Sequence, residues 1–235
     1  MNKNLGRKIL CSLITASICG TVNFALAANS GGEMTEITLF DGPHAAYAGN
    51  NGTGSNNEVY FDGNNDQIYV VGGYSYADGG TANKNNVTVA NNSNLNGNIY
   101  GGLVHGVGEA NYNSVLIKDS TITGYVYGGC ATDDFDGNEG RKANNNTVVI
   151  NNCRINSAIN GDNSVVGGFT YIDIKTGKND GIANNNKVII MNSSVIECEV
   201  YGGRANTGVS ADNNEVIITD STVNHNVYGG RTHKG

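Results

Sequence analysis

Hydrophobic residues along this chain fall in short alternating runs that return at regular intervals. Six stretches share a β-branched or aromatic residue at every second place: Val59 and Phe61, Val87 and Val89, Val115 and Ile117, Val148 and Ile150, Val188 and Ile190, Val216 and Ile218. A second short apolar element follows at Leu95, Ile122, Ile155, Val195 and Val223, each two residues after Ser93, Ser120, Cys153, Ser193 or Ser221. A third closes each unit on a double glycine, with Val70, Ile99, Val126, Val165, Val200 and Val227 two residues ahead of it. Alternation at period two predicts half-buried strands, three to a unit. The glycine pairs begin at 72, 101, 128, 167, 202 and 229, so successive spacings are 29, 27, 39, 35 and 27 residues. The variation falls mainly between one glycine pair and the next asparagine run, with an insertion at residues 156–162. A fixed coil with one free loop is the signature of a solenoid.

One unit cannot bury its own Val and Ile face. Stacked units can, with strands about 4.8 Å apart and equivalent residues above one another. The expected fold is therefore all-β, a right-handed parallel β-helix of about six coils, roughly 30 Å long, covering residues 56–235. Residues 28–55 show no repeat. They hold Ile37–Phe40 and the only proline, Pro43, and are expected to cap the first open edge.

Asparagine opens every unit, and the chain contains 39 of them. Asn tolerates the left-handed backbone of a sharp corner, and stacked amides can bond one another as a ladder. The glycine pairs are expected to form a second corner, where a side chain would clash. Composition agrees: 34 Gly, one Pro, no Trp and 15% charged residues oppose a helical or α/β enzyme fold.

Lys3, Arg7 and Lys8 precede an apolar run from Ile9 to Leu26 that ends in Ala25-Leu26-Ala27. This is the pattern of a cleaved signal peptide over residues 1–27, with an uncleaved membrane anchor as the alternative. Cleavage removes three positive charges and no acidic ones, changing the formal charge from −7 to −7 − 3 = −10. Nucleic acid is a poor partner for such a chain. Cys130, Cys153 and Cys198 remain, an odd number; one bridge or three buried thiols are the open readings.

The densest acidic cluster, Asp133 to Glu139, lacks the spacing of a calcium loop. His44, His105, His225 and His233 lack zinc spacing, and no serine has a neighbouring histidine to activate it. No catalytic group, cofactor site or metal site is expected. Tyr100, Tyr127, Tyr201 and Tyr228 stand just before their glycine pairs. By alternation they should face outward or into a corner, as a stacked row or as a surface that binds sugar rings or a protein. Arg204 and Arg231 follow two adjacent glycine pairs, and two such occurrences also arise by chance.

Units reading NNxVxIxxSxVxxxVYGG resemble the passenger repeats of autotransporters of Gram-negative bacteria, over roughly residues 56–230. The resemblance implies export across the inner membrane, a place at the cell surface, outer membrane or outside the cell, and often adhesion to a host glycan or matrix protein. Family members carry a C-terminal translocator barrel, whereas here Arg231–Gly235 follow the last glycine pair. A fragment or truncated passenger is the resulting expectation, with self-association at the open C-terminal coil. An uronate-polymer lyase or hydrolase and a purely structural spacer are the competing readings.

Overall fold

The computed structural model describes residues 32–39, 42–49, 54–66, 68–76, 79–133, 140–156, 164–172, 181–206 and 208–233. The proposed signal segment, residues 134–139 of the acidic cluster and residues 157–162 of the insertion lie outside them. Every regular element among the described residues is a strand. The chain is a parallel β-helix built on three long sheets, with two short two-stranded parallel sheets beside them among the described residues.

The first sheet takes one strand from each unit: Glu58–Phe61, Asn86–Val89, Ser114–Lys118, Thr147–Asn151, Lys187–Met191 and Glu215–Ile218. They stack in sequence order, all parallel. The second sheet stacks Asn64–Asp66, Asn94–Asn96, Thr121–Thr123, Arg154–Asn156, Val195–Ile196 and Thr222–Val223 in the same order. The third holds longer strands, Tyr69–Ser75, Ile99–His105, Val126–Asp133, Ser164–Ile172, Glu199–Asn206 and Val227–His233. Two more strands extend it at the N-terminal side. Gly42–Gly49 runs parallel to Tyr69–Ser75, and Gly32–Leu39 folds back antiparallel on Gly42–Gly49.

Register is set by the side chains anticipated from the alternation. Val59, Val87, Val115, Val148, Val188 and Val216 are successive partners, as are Val70, Ile99, Val126, Val165, Val200 and Val227. They merge with Leu95, Ile122, Ile155 and Ile196 into one continuous apolar core. Most of these side chains are fully buried, and each contributes roughly 1.5–3 kcal/mol relative to exposure. The column frays at its last level, where Ile218 is 39% and Val227 41% exposed.

One inward position differs from expectation. Ile196, not Val195, pairs with Ile155 and Val223 and is buried. The corner between the first two sheets usually turns on one left-handed residue, as at Asp119, Asn152 and Asp220. In this unit, as at Asn91 and Asn92, it turns on two, Asn192 and Ser193, which shifts the following strand by one place relative to the one-residue corners. Ser194 therefore occupies the place of Cys153 and Ser221 and bonds to both: its hydroxyl accepts from the Cys153 N–H at 3.1 Å, and its N–H donates to Ser221 Oγ at 3.2 Å.

The asparagines divide their work. At the corner entering the first sheet, Asn56, Lys84, Tyr112, Asn145, Asn185 and Asn213 carry positive φ, between 54° and 61°. The next residue in each case turns inward. Asn57, Asn85, Asn113, Asn146, Asn186 and Asn214 form a ladder in which each Oδ1 from Asn85 onward accepts both the backbone N–H and the amide N–H of the preceding rung, at 2.8–3.1 Å. A second ladder, absent from the expectations, runs two residues earlier: Asn111, Asn144, Asn184 and Asp212 donate their backbone N–H to Oδ1 of Asn83, Asn111, Asn144 and Asn184 at 2.6–2.8 Å.

The glycine pairs are not corners. They lie inside the long strands, outside the left-handed region. A Cβ on Gly101 would sit 2.2 Å from the Gly128 carbonyl oxygen, and one on Gly102 would lie 2.6 Å from the Asn113 amide. The bare backbone is what gives the inner asparagine ladder its space.

Candidate functional site

The outer face of the long sheet carries the tyrosines singled out from the sequence, and the structure changes their status. Tyr100 and Tyr127 are each 7% exposed and Tyr201 is fully buried; only Tyr228, at the last level, is partly open. They are not a bare surface row. Together with Val71, Leu103, Cys130 and Val166 they form a second apolar layer outside the main core. Alternation had correctly turned them away from the interior. It carried no information about lateral cover. Tyr100 meets Tyr127 at 5.5 Å between ring centroids, Tyr127 stacks on Phe169 at 5.2 Å, and Tyr201 stacks on Tyr228 at 5.0 Å and 9°. Burial pushes the Tyr100 and Tyr127 phenols well above their ordinary value.

Toward the C-terminal levels this layer becomes charged. Three residues beyond each tyrosine, just past the glycine pair, strict alternation would put a side chain on the opposite face; instead that residue packs in the same outer layer as the tyrosine. That place is Leu103, Cys130 and Phe169 in successive units, then Arg204 and Arg231, partners in register. The Arg204 guanidinium lies 5.0 Å from the Tyr201 ring centroid and 5.6 Å from that of Phe169. Arg231 lies 5.3 Å from Tyr228 and 5.9 Å from Tyr201. Each cation thus rests between two aromatic rings, an arrangement worth about 0.5–2 kcal/mol per contact.

Glu199 completes the group. Tyr201 donates its hydroxyl to the Glu199 carboxylate, Arg231 Nη1 donates to the same hydroxyl oxygen at 3.0 Å, and Asn226 Nδ2 donates to Glu199 at 3.1 Å. Burial and the bond to Glu199 raise the Tyr201 phenol to about 12. The Tyr201 hydrogen bond holds the Glu199 carboxyl below its usual range, with Asn226 and the two arginines acting in the same direction. The result is a chain of carboxylate, phenol and guanidinium beside a second guanidinium. Its visible trace in the sequence is the repeat of Tyr-Gly-Gly-Arg at 201–204 and 228–231.

The remaining chemistry is dispersed. A groove of about 500 Å³ follows the corner of the first two sheets, lined by Ser93, Asp119, Ser120, Asn152, Cys153 and Arg154 among others. Two of its hydroxyls serve the corner itself, Ser93 and Ser120 donating to backbone carbonyls at 2.6 and 2.8 Å, as Ser194 and Ser221 do at other levels at 2.7 and 2.9 Å. Cys130, Cys153 and Cys198 are free and buried. Burial raises the Cys153 thiol to about 11 and Cys198 to about 12, far from a reactive thiolate. His105 is buried and stacked on Tyr76 at 4.8 Å, while His225 and His233 are exposed. Among the described residues, no three His, Cys, Asp or Glu side chains gather as metal ligands.

Comparison with family models, with curated proteins and with solved structures found no match for this chain.

Proposed function

We propose that this chain is a non-enzymatic β-helix exported to the cell surface or beyond, an adhesin-like passenger whose rod presents a binding face. The observation that carries this reading is the division of labour across the coil wall. Inside, the registered positions are Val, Ile, Leu and Asn engaged in packing and ladder bonds. Outside the long sheet, the side chains change character from level to level, from aliphatic and aromatic to cationic. A stacked scaffold that holds its inner positions constant and varies one outer face suits recognition by surface contact. The export signal proposed for residues 1–27 and the likeness of the repeats to autotransporter passengers support the location.

Binding of the purified chain to arrays of host glycans and matrix proteins tests the adhesive role, and uniformly blank arrays would end it. Fractionation of cells expressing the full chain tests the location: the proposal requires cleaved product at the surface or in the medium, and an intact cytoplasmic product would refute it. Self-association belongs to the same proposal. At the last level, Glu215–Ile218, Thr222–Val223 and Val227–His233 each pair on one side only among the described residues. Open backbone edges with exposed Ile218 and Val227 beside them are a template for further strand pairing.

A further inference from the structure

We infer that Arg204 and Arg231 form a binding site for an acidic polysaccharide, its sulfate or carboxylate groups held on the two guanidiniums; this rests on the adhesive reading above. Both arginines are partly exposed, and both are held in place by the rings beneath them rather than waving in solvent. Loss of side-chain freedom has therefore already been met before a ligand arrives. As register partners on neighbouring strands they stand about 4.8 Å apart along the helix axis. A polysaccharide laid along that axis brings one acidic group to each level. Arginine is suited to such groups because its planar fork donates two parallel N–H bonds to a carboxylate or sulfate.

The donors are at hand. In the bonds formed among the described residues, Arg204 uses its Nε toward Asn206 Oδ1 at 3.4 Å, and Arg231 uses Nη1 toward Tyr201. Each guanidinium carries five N–H donors. Glu199 is the local competitor. Its charge reaches both arginines, yet its oxygens are engaged by Tyr201 and Asn226, so it faces Arg231 through the phenol rather than as a direct ion pair. Tyr228, partly open beside Arg231, offers a ring edge for the uncharged part of a sugar. The whole chain has a formal charge of −7 and repels acidic polymers generally, so retention of one has to come from a local site.

The test is binding of the purified full chain to dextran sulfate, polygalacturonate, neutral dextran and polyglutamate, by biolayer interferometry at two salt concentrations. The expected result is binding of one or both acidic polysaccharides, weakening as salt rises, with dextran and polyglutamate clearly poorer. R204Q with R231Q should weaken Kd by at least about tenfold, with an unchanged far-ultraviolet circular dichroism spectrum. E199Q should tighten binding by removing the competing charge, a readout that survives if the double variant misfolds. Undiminished binding by a folded double variant, weaker binding by E199Q, preference for polyglutamate, or no acidic polysaccharide bound would overturn the site. If neutral glycans or matrix proteins bind while acidic polymers do not, the adhesive reading stands and this inference falls; if nothing binds, both fall.

Discussion

Replacing Asn146 tests the inner ladder where it is most enclosed. Asn113, Asn146 and Asn186 are 1%, 0% and 1% exposed. Asn146 Oδ1 accepts the Asn113 backbone N–H at 2.9 Å and the Asn113 amide at 3.1 Å, and its own amide donates to Asn186 Oδ1 at 3.1 Å. Asn146→Ala leaves two buried donors of Asn113 without an acceptor. Asn186 Oδ1 keeps one partner, the Asn146 backbone N–H at 2.9 Å. Each orphaned buried donor costs about 1–3 kcal/mol. Two give roughly 2–6 kcal/mol, and with water admitted to the gap a loss of about 2–4 kcal/mol is the expected outcome. Asn146→Asp separates bonding from mere filling. It keeps the shape and the Oδ1 that accepts both Asn113 bonds but turns the amide donor into a buried charge facing Asn186 Oδ1, so it should cost at least as much as alanine. Urea unfolding followed by circular dichroism measures both, with exposed Asn96→Ala as the reference. A change within about 0.5 kcal/mol for Asn146→Ala, or a harmless Asn146→Asp, would show that the ladder is solvated filler.

The other predictions follow from the same geometry. Gly128→Ala should destabilise sharply and lower the yield of folded protein, because its Cβ would lie 2.3 Å from the Gly167 carbonyl oxygen and 2.9 Å from Asn146 Cβ; a thermal midpoint equal to that of the parent would contradict this. Ile150→Ala, in the fully buried column, should cost about 2–5 kcal/mol in urea unfolding, whereas Ile218→Ala at the frayed level should cost clearly less. The phenols of Tyr100, Tyr127 and Tyr201 are all raised in the fold, so their contribution is complete below the unfolded value near 10 and is lost as pH climbs through the folded one; stability should fall from about pH 10 upward, and a flat profile to pH 12 would refute the burial. Cys153 and Cys198 should react with iodoacetamide at pH 8 far more slowly in the folded chain than in urea, since burial holds both thiols protonated.

Particular residues show where sequence reasoning succeeded and where it ran out. The Val and Ile columns were legible because two facts coincide: side chains alternate at period two, and the distance from first valine to glycine pair is 13 or 14 residues in every unit but the one carrying the insertion. Val195 was misplaced because a corner can take one left-handed residue or two, and Asn192-Ser193 looks no different from Asn152-Cys153 in composition. The glycine pairs were recognised as sites of close approach but assigned to a turn. Only the stacked neighbours reveal that the inner asparagines occupy the volume their side chains would fill. The outer ladder had a sequence trace, an Asn or Asp two residues before the inner rung at Asn83, Asn111, Asn144, Asn184 and Asp212, which merged with the general abundance of asparagine. The tyrosines were given the correct side of the wall, and of the two readings left open for them the stacked row holds, whereas an open binding row does not. Arg204 and Arg231 gain meaning only from register, which sets both guanidiniums over the rings of Phe169, Tyr201 and Tyr228.

Disulfide trapping tests the in-register parallel stack most directly. Thr147 and Lys187 are partly exposed register partners on adjacent strands of the first sheet, while Met191 lies four residues further along the second of these strands. Partners about 4.8 Å apart fall within the reach of a disulfide, and a four-residue offset exceeds it. T147C with K187C should cross-link readily under mild oxidation, as mapped by peptide mass spectrometry, and T147C with M191C should not. Equal cross-linking of the two pairs, or linkage of only the offset pair, would contradict the parallel column on which the fold and the proposed binding face are built.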